Sequence, residues 1–373
     1  MADFDIIIVG GGALGLACAK RLFRPQTNLL VAEAVKVGNG LSTHTSKFLH
    51  SGRAFVDAHS LYHLADFGVD RKRMLQWCPE HLEQRAAIAP HANYRWGVLQ
   101  CQPRFWVFDR LRREGPELAT LANAPAPQDA AAILRPGLCR GVITQEILMD
   151  DLGIVAKLQS ECINDGIDIA EDHRLIAATA TGGWWELIFH SAGGAQVQHR
   201  ARKIVNAAGP AAAQLLPEVF SLPAIGQPPH NIATHIAINP PAALESILLL
   251  DHPDVPGMFV QPYSDRWYVG VAEESAGERP DFHAAKARGA ARLIAALGDV
   301  LMIDSAAIQL QAAFTSLRMF RPERSPYDMA RTRQHVITLH NQTCPQLASI
   351  LYGRMEWLHR ISEDVEAALA HAA

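Results

Sequence analysis

The sequence predicts an α/β protein that begins with a nucleotide-binding βαβ unit. Three observations predict this fold: a continuous apolar run from Ile6 to Val9, a glycine-rich turn directly after it, and helical periodicity over residues 13–23. Residues 28–33, with the sequence NLLVAE, are typical of a second buried strand. Strand, turn, helix and strand therefore follow one another in the order of a βαβ unit.

The glycine-rich turn has the spacing of a dinucleotide-binding motif. Gly10, Gly12 and Gly15 match G-x-G-x-x-G, in which the first glycine permits a tight turn, the second admits a pyrophosphate and the third lets helix and strand pack closely. The phosphates would lie at the positive end of the helix. Glu33 ends the second strand, where its carboxylate can accept hydrogen bonds from ribose hydroxyls. The unit alone does not distinguish NAD from FAD.

Composition excludes several classes of protein. The chain has 373 residues, a formal net charge of −4 and 19% charged residues without long blocks, so nucleic acid is not expected as a main partner. The six cysteines form no CxxC pair, and we expect reduced structural thiols and no metal site. Neither a signal peptide nor a membrane span is evident, which makes the cytoplasm the expected location.

The rest of the chain alternates between helical and strand-like patterns. Residues 85–135 are rich in Ala and Pro and are interpreted as less regular. Residues 228–274 are interpreted as strands separated by Pro and Asp turns. Helices are predicted around residues 59–77 and over 151–164, 283–297 and 356–370.

A second segment bears on the identity of the nucleotide. The stretch KIVNAAGP, residues 203–210, is an apolar strand that ends in Ala207, Ala208 and Gly209. It resembles the second nucleotide-contacting strand of two-dinucleotide-binding flavoproteins, although alone it is more typical of a buried strand ending in a tight turn. Its place after the βαβ unit, a helix and a strand-rich stretch favours FAD.

Five stretches together resemble one superfamily. They are IIIVGGGALG, SKFLHSG (46–52), IVNAAGP, ATHIAINP (233–240) and FVQPYSDRWYVGVAEE (259–274), with weaker matches in TSLRMFRP (315–322) and YGRMEWLHRISEDV (352–365). The chain resembles FAD-dependent oxidoreductases of the D-amino-acid oxidase superfamily, most of all the flavin-linked glycerol-3-phosphate dehydrogenases. It lacks their extra C-terminal helical domain, and its length is nearer to that of glycine oxidase and 2-hydroxyglutarate oxidase relatives.

The resemblance implies a fold of two domains. One is an FAD-binding Rossmann-like domain of the two-dinucleotide-binding type, predicted from residues 1–80, 141–215 and 320–373. The other is a substrate-binding domain built on an antiparallel sheet, predicted from residues 81–140 and 216–319.

The resemblance also implies which residues contact the FAD. In relatives a histidine near the position of His50 is in some cases attached covalently to the flavin, whereas here we expect noncovalent FAD. The implied contacts are Gly10, Gly12, Ala13, Leu14, Gly15, Glu33, Ala34, Thr45, Ser46, Lys47, Leu49, His50, Ile176, Ala208, Gly209, Gly353, Arg354 and Met355.

Three residues match the roles that the reaction requires. Oxidation of a C–H bond beside a hydroxyl or amine needs a hydride acceptor, a base for the O–H or N–H proton and an anchor for the charge of the substrate. His235 matches the family histidine proposed as base, although a core histidine is the alternative. Arg318 is the candidate anchor and Arg321 its rival, because the Pro of the family motif follows Arg321. Arg354 would stabilise reduced anionic flavin, unless it is only a surface arginine.

The departures from the glycerol-phosphate enzymes concern the substrate. Their Gly-Gly-Lys loop is Tyr352, Gly353 and Arg354 here, and their Arg-Tyr pair after the histidine motif is Ala54 and Phe55. Each charge-assisted hydrogen bond lost in this way removes about 1.5–3 kcal/mol of stabilisation from a phosphate site. Glycerol 3-phosphate is the substrate of the family that the chain resembles most. Because of these departures, the sequence leaves the substrate of this chain open.

Three functions remain open from the sequence. The first is an FAD-dependent dehydrogenase or oxidase that transfers hydride from a small anionic alcohol, glycerol 3-phosphate or a 2-hydroxy acid, to flavin N5. The second is an amine or amino-acid oxidase of the glycine oxidase type, and the third is a degenerate FAD-binding scaffold subunit. The electron acceptor, whether quinone, oxygen or a redox protein, the oligomeric state and peripheral contact with the inner face of a membrane are left open as well.

Overall fold

A computed structural model shows how the predicted elements assemble. It describes residues 2–49, 61–90, 121–224, 230–250, 252–276, 281–319, 336–340 and 345–370.

The strands and helices are numbered here in chain order over the described residues. The strands are β1 (Ala2–Val9), β2 (Leu29–Ala32), β3 (Phe48–Leu49), β4 (Leu82–Pro90), β5 (Leu121–Pro125), β6 (Arg140–Met149), β7 (Asp168–Ala170), β8 (Arg174–Thr181), β9 (Trp184–His190), β10 (Gln196–Asn206), β11 (His230–Ile238), β12 (Ile247–Leu249), β13 (Phe259–Tyr263), β14 (Arg266–Ser275), β15 (Leu310–Met319), β16 (Val336–Leu339) and β17 (Gln346–Tyr352). The helices are α1 (Ala13–Leu22), α2 (Leu61–Trp77), α3 (Gln128–Ala131), α4 (Asp151–Asn164), α5 (Ala212–Glu218), α6 (Phe282–Val300) and α7 (Leu358–Ala370).

The chain divides into two compact units. Unit 1 comprises Met1–Thr43, Asp150–Pro229 and Met319–Ala373, and unit 2 comprises His44–Met149 and His230–Arg318. The predicted domain boundaries run differently, since residues 44–80 and 141–149 belong to unit 2 and residues 216–229 to unit 1. The reason for the first difference is strand pairing: β3 is hydrogen-bonded to β6, so both strands belong to one sheet. The ligands assigned to the two domains remain predictions.

Unit 1 is built on a mainly parallel sheet. Its order is β16-β17-β10-β1-β2-β7, in which β16 pairs antiparallel with β17 and the β8–β9 hairpin continues from β10. β1 and β2 lie in its centre because their apolar runs are buried, with Ile7 and Ile8 fully inaccessible. The sheet thus confirms the predicted βαβ unit.

Helix α1 follows β1 and packs on this sheet. Its buried face contains Leu16, Cys18 and Ala19, and it also contacts α4 and α7. Lys20 and Arg21 lie in its last turn, where cations interact favourably with the helix dipole. Burial raises the pKa of the Cys18 thiol to about 12, as expected for a structural cysteine that stays protonated at neutral pH.

Unit 2 is built on a sheet of mostly antiparallel strands. The order is β15-β11-β14-β13-β12-β4-β6-β3, with β5 paired to β6, and the pair β12–β4 is parallel. Helix α6 packs on one face, where Gly289 leaves room for the side chain of Thr234. The opposite face is aromatic and includes Phe48, Phe259 and Tyr268. This face contains the sequence-predicted base.

One expectation about secondary structure was wrong. Residues 82–90, partly within the stretch interpreted as irregular, form the nine-residue strand β4, which pairs along its length with β6. Its sequence, LEQRAAIAP, has only one β-branched residue, so its local preference for strand is weak and the pairing with β6 decides the conformation. Within the described ranges, no helix has the length and apolar character needed to cross a membrane.

Candidate active site

The glycine turn of unit 1 has no room for side chains at two of its three motif positions. Gly10 has φ +112°, and a Cβ at this position would clash with the carbonyl oxygen of Ala207. A Cβ on Gly15 would clash with the carbonyl oxygen of Gly10. These approaches explain why the motif requires glycine: the turn between β1 and α1 lies directly against the end of β10.

The N-terminus of α1 is capped from a distant segment. Gly12 is the N-cap residue and has no side chain to cap the helix, and the first turn contains no acidic residue. The hydroxyl of Ser42 accepts a hydrogen bond from the N–H of Ala13 at 2.9 Å. A hydroxyl that accepts can also donate, so Ser42 can give its proton to a phosphate oxygen at the positive end of the helix. Sequence analysis missed Ser42, because it lies 29 residues after the helix start.

Glu33 is held beside this turn by backbone groups. Its carboxylate accepts hydrogen bonds from the N–H of Gly11 at 2.7 Å and from the N–H of Val35 at 3.0 Å. The backbone of Glu33 is bonded to Ala170 and His173, which joins the end of β2 to the turn between β7 and β8. Ile176, a predicted cofactor contact, lies at a register shift in β8 and is partly exposed.

The end of β10 is shaped by a buried asparagine. The amide nitrogen of Asn206 donates to the carbonyl oxygen of Ala212 at 2.8 Å and to the hydroxyl of Ser349 at 3.3 Å. Gly209, which follows, has φ +59°, a conformation that glycine adopts at little cost. Ala208 and Gly209 therefore end the strand in a tight turn beside Gly10.

The C-terminal loop lies against the helix of the glycine motif. A Cβ on Gly353 would come within 2.5 Å of the Leu14 side chain, so the two predicted contacts are neighbours. The guanidinium of Arg354 lies 3.7 Å from the carboxylate of Glu356, and both side chains are largely buried. The negative charge of Glu356 partly offsets the positive charge of Arg354.

Unit 2 contains the predicted base in an aromatic environment. His235 lies on β11 at a register shift and is 1% exposed. Its imidazole stacks on the ring of Tyr268, with centroids 5.4 Å apart and an interplanar angle of 14°, and lies 6.0 Å from the ring of Phe259. A side chain at Gly270 would clash with the imidazole, so this glycine makes room for it. The imidazole is thereby held in one orientation.

The segment of Thr45, Ser46 and Lys47 lies on the same face of the sheet. Tyr268 donates its hydroxyl proton to the carbonyl oxygen of Thr45 at 2.9 Å, and the Gln261 amide donates to that of Ser46 at 3.2 Å. The Lys47 ammonium lies over the rings of Tyr263 and Tyr268. Gln261 and His44, whose ring lies 5.9 Å from that of Phe314, were missed by sequence analysis.

Side-chain positions are not described for three of the predicted site residues, His50, Arg318 and Arg321. His50 and Arg321 lie outside the described residues, and of Arg318 only the backbone, on β15, is described. In the part of the chain that is described, no group of three or more His, Cys, Asp or Glu side chains could hold a metal ion.

The fold and the glycine turn define a dinucleotide-binding α/β protein, and comparison with known proteins identifies the family to which it belongs. A sequence model of the FAD-dependent oxidoreductase family matches residues 5–351. The chain belongs to this family, which confirms FAD as cofactor, the oxidoreductase class and the predicted resemblance. The tight glycine turn, the helix terminus without acids and the fixed Glu33 carboxylate fit this cofactor.

Relatives with curated names include glycerol-3-phosphate dehydrogenases. The enzyme of Pseudomonas aeruginosa is 21% identical over 367 residues, covering 97% of this chain and 70% of the relative. The aerobic enzyme of Escherichia coli is 22% identical over 277 residues, covering 72% of this chain and 53% of the relative. The chain thus spans only about half the length of the second relative.

Solved structures show the same fold at low sequence identity. L-α-glycerophosphate oxidase from Mycoplasma pneumoniae, with FAD bound, has a TM-score of 0.74 and 13% identity, covering 99% of this chain and 95% of that one. Glycine oxidase from Geobacillus kaustophilus has a TM-score of 0.71 and 16% identity, with the same two coverages. These structural similarities confirm the predicted fold class, but they do not identify a substrate for this chain.

Proposed function

We propose that this protein oxidises a small anionic alcohol, either glycerol 3-phosphate or a 2-hydroxy acid. FAD, when bound, supplies N5 as the hydride acceptor. The curated relatives named above support an alcohol bearing an anionic group. The structural observation that carries the proposal is the oriented imidazole of His235 on the aromatic face of unit 2.

His235 is assigned the role of base. It accepts the hydroxyl proton of the substrate as the C–H bond breaks, a role that suits an imidazole because its ordinary pKa lies near neutral pH. The stack on Tyr268 and the contact with Phe259 restrict the imidazole to one plane. A fixed ring costs less entropy on reaching the transition state than a mobile one.

Arg318 is assigned the role of anchor. It lies on β15, which neighbours β11 in the sheet of unit 2, so the anchor and base candidates occupy adjacent strands. A guanidinium can hold a carboxylate or phosphate through two parallel hydrogen bonds. This adjacency supports Arg318 as the anchor.

The test is anaerobic reduction of the bound flavin, followed by bleaching of its visible absorption. The panel contains glycerol 3-phosphate, 2-hydroxy acids, glycine and D-amino acids. His235→Asn is expected to slow reduction by the reactive alcohol about 10²- to 10⁴-fold, as loss of a general base does. His283→Asn, the same change at an exposed position on α6, is the matched control and should react at the wild-type rate. Wild-type reduction in His235→Asn would show that His235 is not the base.

One observation favours a second function, amine oxidation of the glycine oxidase type. His235 is only 1% exposed, which suits a core histidine better than a group that must touch substrate. An amine substrate can lose its proton to water and needs no imidazole base. Reduction by glycine or a D-amino acid, at equal rates in wild type and His235→Asn, would establish this function in place of alcohol oxidation.

The same preparation tests the scaffold alternative and the electron acceptor. A yellow protein that no member of the panel reduces would favour an FAD-binding subunit without this activity. After reduction, the rates of reoxidation by oxygen, by a soluble quinone and by a redox protein identify the acceptor.

A further inference from the structure

The turn Thr45–Lys47 is clamped onto the aromatic face of unit 2 by two neighbouring strands. Tyr268 on β14 and Gln261 on β13 lie directly opposite each other in the sheet. Tyr268 donates to the carbonyl oxygen of Thr45 and Gln261 to that of Ser46, the next residue. Consecutive peptide groups of the turn are therefore fixed by side chains more than 200 residues away in the sequence.

The turn gives Lys47 an unusual backbone conformation. Lys47 has φ +57°, a left-handed conformation that residues other than glycine seldom adopt. Its N–H donates to the hydroxyl of Thr45 at 3.0 Å, and its carbonyl oxygen accepts from the N–H of Met149 at 2.9 Å. The surrounding hydrogen bonds thus determine the direction in which the lysine side chain leaves the backbone.

The ammonium of Lys47 and the imidazole of the predicted base both lie against the ring of Tyr268. Its Nζ is 5.4 Å from the ring centroid of Tyr263 and 5.9 Å from that of Tyr268, whose ring also stacks on His235. Lys47 is 6% exposed, whereas Tyr263 is partly exposed. A cation and an imidazole therefore share one tyrosine ring on this face.

Gln261 provides an acceptor on the same face of the sheet, since it lies directly opposite Tyr268. The residue is fully buried, and its Oε1 has no hydrogen-bond partner among the described residues. Exchanging the two amide atoms would place an oxygen against the Ser46 carbonyl oxygen, so the orientation of the amide is determined. A buried acceptor without a donor is costly, and a ligand O–H or N–H would remove that cost.

We propose that Lys47 and Gln261 form a subsite for the anionic group of a bound ligand, in which the Lys47 ammonium holds the negative charge and Gln261 Oε1 accepts a ligand hydrogen bond. The hydroxy acid or hydroxy phosphate of the proposed function has this chemistry, so the inference rests on the proposed function.

The first experiment replaces the charge in the holoenzyme. Lys47→Met removes the cation and keeps the chain length, Lys47→Arg keeps the cation, and Lys286→Met on α6 is the matched control. The quantities measured are the dissociation constants of inorganic phosphate, acetate and neutral acetamide, from shifts of the flavin spectrum. FAD content and the thermal midpoint show that each variant is folded.

The charge of Lys47 should decide anion binding. Lys47→Met is expected to weaken binding of phosphate or acetate about tenfold or more without affecting acetamide, whereas Lys47→Arg should resemble wild type. Unchanged dissociation constants of phosphate and acetate in Lys47→Met would overturn the proposal.

Gln261 is tested by a ligand pair that differs in one hydroxyl. Gln261→Leu should reduce the preference for glycolate over acetate, while Gln261→Glu, which retains an acceptor, should keep more of that preference. Equal behaviour of both variants and wild type would remove Gln261 from the subsite. Neither measurement needs turnover, so an altered anion affinity with no reactive substrate would uphold the subsite and reject the proposed reaction.

Discussion

The hydroxyl of Ser42 accepts a hydrogen bond from the N–H of Ala13, the first residue of helix α1, at 2.9 Å. We expect Ser42→Ala to lower FAD affinity about tenfold, because the helix terminus loses its acceptor and the phosphate loses a donor. Titration of apoprotein with FAD, followed by quenching of flavin fluorescence, measures the change. Ser191→Ala, in an exposed hairpin turn, should bind like wild type; equal affinities of both variants would exclude Ser42 from the site.

Gly15→Ala should prevent FAD binding and lower stability. The added methyl group would collide with the Gly10 carbonyl, and forcing the turn open costs about 1–3 kcal/mol of the free energy of unfolding. Gly193→Ala introduces the same methyl group where no atom lies within 4 Å and should change neither property. Urea unfolding and FAD content are the measurements, and a yellow, stable Gly15→Ala protein would refute the packing argument.

Glu33→Gln should weaken FAD binding about tenfold, since an amide replaces one of the two carboxylate oxygens that accept from Gly11 and Val35. The amide nitrogen is a donor and would face a backbone N–H if the side chain kept its position. Fluorescence titration with FAD is again the assay. Glu186→Gln, at an exposed position of β9, is the matched control.

Arg71→Met should be strongly destabilising. The Arg71 guanidinium, 1% exposed, lies 3.8 Å from the carboxylate of Glu146, and it donates to the carbonyl oxygen of Leu49 at 3.3 Å. Its removal leaves a buried carboxylate without this cation, which costs about 3–5 kcal/mol. Urea unfolding should show this loss, and Arg71→Met combined with Glu146→Leu should recover part of it. Arg266→Met, in an exposed pair with Asp265, should stay within about 0.5 kcal/mol of wild type.

His199 should make stability depend on pH. Burial, and secondarily the nearby His173, lower its pKa below the ordinary value of 6.5. The unfolded chain therefore binds the proton more readily, and the free energy of unfolding should fall as the pH decreases below about 6.5. His199→Phe, which keeps an aromatic ring beside Phe4 and Phe189, should flatten this dependence, and urea unfolding between pH 7.5 and pH 5.5, about the range in which histidine titrates, tests it. His190→Phe, at an exposed position, should keep the wild-type slope.

The nucleotide half of the candidate site could be predicted because its signals are local. The apolar run of β1, the glycine spacing and the periodicity of α1 lie within 23 residues, and each element favours the conformation that it adopts. The helix predicted over residues 151–164 has the bounds of α4, where Asp150 caps the first turn by accepting from the N–H of Gly153.

The features that the sequence did not reveal depend on contacts between distant segments. Ser42 resembles any loop serine until the fold brings it to the start of α1. Arg354 matches a family cation, and only the structure shows it beside the Glu356 carboxylate. The unit boundary at residues 43 and 44 depends on the pairing of β3 with β6, a strand about 100 residues later.

The sequence by itself determined the βαβ unit and most helices, because periodicity, glycine spacing and capping act between residues that are close along the chain. FAD was predicted from the sequence through the family resemblance of stretches along the whole chain. Only the tertiary structure decided which side chains share the aromatic face of unit 2. His235, Gln261 and Tyr268 come from three strands, and Lys47 comes from a turn more than 180 residues earlier. Sheet register and the hydrogen bonds that hold that turn bring these residues together. Both depend on packing between distant segments, and the local sequence of one segment does not indicate which other segment it contacts.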